Sequence, residues 1–149
     1  MTSRVQKLLI ALSVPLLIGL AMVGLLAGAA AYGWRAAQQA GNEAATIQNL
    51  KTIAAVETQY FNTHKRTFAS FEQLVSEQML SSKFAGHPPK VDGYVLSLTL
   101  TSNSAAYTIN ADPLSPRAGT PHFYLDSASG QIRVSMEGPA GPSDPPWEK

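Results

Sequence analysis

From Leu8 to Trp34 the chain carries 27 consecutive uncharged residues, "LLIALSVPLLIGLAMVGLLAGAAAYGW". About 20 apolar residues cross a bilayer core as a helix, so this run is long enough to span with some tilt. It withdraws about a quarter of the 149 residues from any soluble core and leaves roughly 110 for one modest domain. Arg4, Lys7 and the terminal amine precede the run, and only Arg35 follows closely. The positive-inside tendency therefore keeps residues 1–7 cytoplasmic, makes 8–34 the transmembrane helix and sends the rest outward. Tyr32 and Trp34 then sit where interfacial aromatics belong, and Pro15 should kink the helix or mark its ordered beginning.

A cleaved secretory signal is the competing reading, because "AGAAA" (residues 27–31) offers small-x-small sites. The apolar stretch before those alanines is about 19 residues, longer than the roughly 7 to 15 of an ordinary signal core, which favours the anchor. Gly24 with Gly28, and Ala29 with Gly33, repeat the small-xxx-small spacing that lets helix backbones approach closely. In a segment so rich in glycine and alanine the same spacing also arises by chance.

Beyond the apolar run, "NEAATIQNLKTIAAVETQYF" (residues 42–61) has helical periodicity. Ile47, Leu50, Ile53, Ala54, Val56, Tyr60 and Phe61 fall on one half of the wheel, and Gln48, Lys51, Thr52, Ala55, Gln59 and Asn62 on the other. We expect Ile47, Leu50, Ile53, Tyr60 and Phe61 to bind the helix to a sheet. Gly41 and Asn42 are the one plausible break, Asn42 being able to cap a new helix. Unbroken from Lys7 to Asn62, the helix would be about 84 Å long. Glu57 is the odd residue, an acid near the middle of the apolar stripe. The simplest account is a carboxylate reaching a loop's backbone donors or a nearby cation at the rim of the core.

"SFEQLVSEQML" (residues 70–80) predicts a short helix, with Ser70 and Gln73 at capping-box spacing and Phe71, Leu74, Val75 and Met79 on the buried edge. "SSKFAGHPPK" is an extended connector. The period then changes to two in "DGYVLSLTLT", "AAYTINA", "HFYLD" and "QIRVSM", where Ile132, Val134 and Met136 alternate. These segments predict an α+β fold, a long amino-terminal helix on a three- or four-stranded antiparallel sheet. The globular domain would run from residue 35 to 137. "GPAGPSDPPWEK", 138–149, is too rich in proline and glycine to continue a strand and is expected as an extended or loosely docked tail.

The chemistry left to such a chain is narrow. It has no cysteine, which excludes disulfides, thiolate metal sites and thiol nucleophiles. Three of the 11 basic residues lie in the first 35, so the remainder sets 8 bases against 10 acids. That balance offers no basic face for nucleic acid. His64, His87 and His122 show no ligand spacing, and no serine lies in a G-x-S-x-G turn. Asp112 and Asp126 occupy turn positions; a calcium site built from them is a minority idea, testable by an EDTA effect on melting. An exported enzyme would need a cleft joining Glu57 or Asp112 to His122. We therefore expect no catalytic, cofactor-binding or metal residue.

The helix "NEAATIQNLKTIAAVETQYF" and the stretch "YTINADPLSPRAGTPHFYLDSASGQIR" resemble the type IV pilins and the pseudopilins of type II secretion. The likeness covers most of 42–146, and its more specific part is a "Y-x-x-x-A-D-P" strand end before an "F-Y-x-D-x-x-G-x-I-R" hairpin. The resemblance implies a structural subunit in the bacterial inner membrane with a periplasmic or extracellular domain. It also implies self-association, or packing with other pilin-like subunits, through the amino-terminal helix. At the amino terminus "MTSRVQKLLIALSVP" has the basic leader, while the family's Gly-Phe junction and the glutamate after it have no counterpart; the first acid is Glu43. Two roles stay open, a filament or pseudopilus component and a single-pass anchor whose domain binds another envelope protein.

Overall fold

The computed structural model of the protein describes residues 2–115 and 119–148, with side chains from Leu17 onward. Expectations for Arg4, Lys7 and Pro15 lie outside the described side chains. Helix α1 runs over Thr2–Thr63 and passes through Gly41 and Asn42, the one plausible break, without interruption. The chain divides into two compact units, residues 1–39 and 40–149.

In the first unit the segment from Leu17 is long and apolar enough to cross a membrane, the one such helix among the described residues. Its large side chains are exposed, from Leu17 at 67 % to Trp34 at 74 %.

The second unit is α+β. Around the last turns of α1 come α2 (Phe71–Ser76), a 3₁₀ turn (Ser82–Phe84) and five strands: β1 (Lys90–Val91), β2 (Tyr94–Leu100), β3 (Tyr107–Pro113), β4 (His122–Asp126) and β5 (Ile132–Ser135). The strands form one antiparallel sheet in sequence order. Period two places Tyr94, Leu96, Tyr107, Ile109, Ala111, Phe123 and Leu125 on the buried face, where they form one core with Ile47, Leu50, Ile53 and Tyr60 of α1.

Local chemistry sets the ends of these elements. Helix α1 stops where Lys65 and Arg66 turn left-handed, at φ 53° and 62°. The Thr67 hydroxyl holds that turn by donating to the His64 carbonyl at 2.8 Å. The capping box of α2 is complete: Gln73 N–H donates to Ser70 Oγ, and Ser70 N–H to Gln73 Oε1. The helix is shorter than expected, because Gln78 at φ 58° ends it by letting both Met79 and Leu80 donate back to Leu74 O.

Four differences from expectation have physical causes. The sheet has five strands, because Asp92 (φ 50°) and Gly93 (φ 80°) make a two-residue hairpin that folds Lys90 and Val91 onto β2. Phe61 is only half-buried; it stacks on Phe68 at 4.6 Å and so binds the loop after α1, not the sheet. Met136 falls beyond β5 and is 59 % exposed. The tail is docked firmly: Val134 N–H donates to Pro145 O, Trp147 N–H to Ile132 O, Asn110 Nδ2 to Ala140 O and Arg133 Nη1 to Asp144 O. Prolines that cannot donate still accept, so the segment borders β5 as a ragged sixth strand.

Candidate functional site

Glu57 is fully buried, one turn of α1 beyond Ile53 and one before Tyr60. Its Oε2 accepts from the Ala69 backbone N–H at 3.0 Å, which is the backbone-donor role expected of it, but in the core and not at its rim. Oε1 meets no donor among the described residues. Burial pushes the carboxyl up to about 7, against the smaller downward pull of the Ala69 hydrogen bond. Burial, and then the nearby Glu57 and Asp126 carboxylates, push the Tyr107 phenol up to about 12. Glu57 thus ties α1 to the segment that leads into α2, next to which Phe68 stacks on Phe61 and meets Tyr107 edge-on at 4.9 Å.

The histidines go to separate places, each beside a carboxylate. His64 stacks on Tyr60 at 3.8 Å and faces Glu77 at 3.2 Å; His87 faces Glu72 at 2.8 Å. His122 Nδ1 meets Asp112 Oδ1 at 2.6 Å across β3 and β4, and His122 pairs in register with Ser135 of β5. That row has the residue types of a hydrolytic triad, but Ser135 Oγ accepts from Glu137 N–H instead of being held for attack. Glu57 lies with the core on the opposite face of the sheet, so it does not join Asp112 and His122. Asp126 Oδ1 accepts from Ala128 and Ser129 N–H at 2.9 and 2.6 Å, the turn role expected of it. Partial burial pushes this carboxyl up, but the Ser129 and Ala128 hydrogen bonds together hold it below the ordinary range. Asp112 and Asp126 stand at opposite ends of the β3–β4 ladder, and no three His, Asp or Glu side chains cluster among the described residues.

Gly24, Gly28 and Gly33 each have open space where a Cβ would stand. Among the described residues no contact needs glycine there; Ala29 lies on the same exposed stretch.

One feature had no periodic signal in the sequence. Trp147 lies against α1 between two shallow cavities of about 310 and 380 Å³, with Lys51 Nζ 5.8 Å from its ring centroid. A lone tryptophan after two prolines was the only hint of this anchor. Trp147→Ala should cost about 1–2 kcal/mol, for a half-buried indole and one cation–π contact. Urea unfolding of the full chain in detergent checks it, and an unchanged midpoint would mean that the tail is not anchored. No protein-family model, curated protein or solved structure matches the chain.

Proposed function

We propose that this protein is a non-catalytic, pilin-like structural subunit or minor component of a type IV pilus or type II secretion pseudopilus. It is anchored in the inner membrane with its domain outward. The observation that carries the reading is the double use of α1. Leu17 to Trp34 present large apolar side chains to the surroundings, while Ile47, Leu50, Ile53 and Tyr60 of the same helix enter the core of an antiparallel-sheet domain. An exposed apolar surface of that extent needs lipid or other helices to cover it.

Fibres in detergent-free preparations, seen by electron microscopy, together with cross-linked ladders through residues 24–33, are the expected result. Gly28→Leu fills space that the chain leaves open. It should abolish the ladders while changing domain stability by no more than about 0.5 kcal/mol. Monomers alone in both assays would sink the filament reading.

The apolar segment carries no acid that could register one subunit against the next, the first being Glu43. That observation favours a second reading, a single-pass anchor whose domain binds another envelope protein. Co-purification of a partner from gently solubilised membranes, without fibres, is its signature.

A further inference from the structure

The sheet leaves one edge open at a defined place. Leu96 N–H donates to Pro89 O, on the β1 side of β2, whereas Thr101 N–H donates to Ala106 O on the β3 side. Backbone direction alternates along a strand, so Leu98 and Leu100, like Leu96, turn their N–H and C=O groups toward β1. Strand β1 ends before reaching them. It pairs only Lys90 with Val95 and Val91 with Tyr94, and the two prolines preceding it lack the N–H that would extend the ladder. The outward backbone groups of Leu98 and Leu100 have no backbone partner among the described residues.

Edges of this kind are usually protected by charge, proline or a bulge. Pro88, Pro89 and the His87–Glu72 pair border β2 at Leu96 to Leu98, but β2 itself carries no charge, proline or bulge from Leu96 to Thr101, and the 19 residues from Gly93 to Ala111 contain no charged side chain. Two such edges can meet without repulsion.

We infer that β2 is a homotypic docking edge, on which a second copy of this chain adds its own β2 antiparallel, with Thr99 on the two-fold axis. The hydrogen-bond pattern selects this register. Leu98 faces Leu100 of the second copy and Leu100 faces its Leu98, each pair exchanging both N–H···O=C bonds. Thr99, whose backbone is already committed to Thr108 of β3, faces its own copy as a non-hydrogen-bonded pair. Beside the edge lies a groove of about 390 Å³, lined by Phe71, His87, Pro88, Pro89 and Leu98. The incoming copy's β2–β3 turn, Thr101–Ala106, runs toward that groove. The interface is short, so its strength comes from the high effective concentration of chains held by their apolar helices.

The chain has no cysteine, so an introduced thiol reports on one position. A non-hydrogen-bonded pair brings its Cα atoms to about 4.5 Å, within disulfide reach of about 4.4–6.8 Å. Under mild oxidation of the full chain reconstituted in lipid vesicles, Thr99→Cys should give several-fold more disulfide dimer than Ala128→Cys, in the exposed β4–β5 turn. Ser97→Cys and Thr101→Cys should each cross-link poorly alone and readily when mixed, because the register places residue 97 opposite 101. Adding Thr99→Lys, which sets two like charges on the axis, should abolish the mixed product. A Thr99→Cys yield no higher than that of Ala128→Cys overturns the inference, as does a mixture no better than its components or cross-linking of Thr99→Cys to a different protein. Association through residues 24–33 is read separately by the Gly28→Leu ladders, so failure of either interface leaves the other measurable.

Discussion

Replacing Glu57 with glutamine should stabilise the domain at pH 8 by about 2 kcal/mol and leave it nearly unchanged at pH 5. The folded chain keeps a proton on Glu57 up to about pH 7, whereas the unfolded chain releases it near the ordinary 4.5. Between those values the native state binds more protons, so stability falls as pH rises, and the loss is complete above about pH 7. A carboxyl raised from 4.5 to about 7 corresponds to about 3 kcal/mol. Glutamine keeps the acceptor for Ala69 N–H and stays neutral, at a cost of about 1 kcal/mol for an amide N–H with no acceptor. Glu57→Ala removes the acceptor and leaves a void, and should be destabilising by about 2 kcal/mol at pH 5 and nearly neutral at pH 8, where the native chain has lost its proton-linked stability. Urea midpoints of the full chain in detergent, from pH 5 to 8, decide this. Parallel profiles for the native chain and Glu57→Gln would show that burial does not hold the proton. Every other group is common to both chains, so their difference isolates Glu57.

The role of Glu57 was legible because a helix with period 3.6 has few explanations for an acid at the centre of its apolar stripe. Its depth was not legible, because the groups around it, the Ala69 N–H and the Tyr107 ring, come from the loop after α1 and from β3. The face formed by Ile47, Leu50, Ile53 and Tyr60 emerged from periodicity alone, and β2 to β5 from alternation. Phe61 satisfied the same periodicity but lies at the end of α1, where the chain turns back and Phe68 stacks on it. The Asp112–His122 contact depends on how the turn-rich stretch between β3 and β4 returns the chain, and nothing in spacing specifies that. The tail's attachment uses backbone atoms of Pro145 and Trp147, which have no side-chain pattern to read. Strand β1 did have a signal. Asp-Gly between short β-compatible segments is a strong hairpin marker, although two residues are too few to show alternation.

That hairpin is also where the sheet is seated on α1, and Gly93→Val should be the most damaging single substitution outside the apolar core. A Cβ at Gly93 would stand 2.5 Å from Asn42 Nδ2, on a backbone already at φ 80°. A left-handed residue with a side chain costs about 1–2 kcal/mol, and forcing atoms into a packed contact adds about 1–3, so a loss of about 3 kcal/mol is expected. The turn cannot move away easily. Asn49, two turns after Asn42 on the same face of α1, donates to Asp92 Oδ2 at 2.8 Å, and Lys83 Nζ donates to Asn49 Oδ1 at 2.9 Å. Asn42→Ala separates the two costs, because it removes the obstructing amide and leaves the backbone strain. In that background Gly93→Val should cost only about 1–2 kcal/mol. Urea unfolding of the four chains forms a double-mutant cycle, and equal losses in both backgrounds would mean that the Asp92–Gly93 turn does not rest on Asn42.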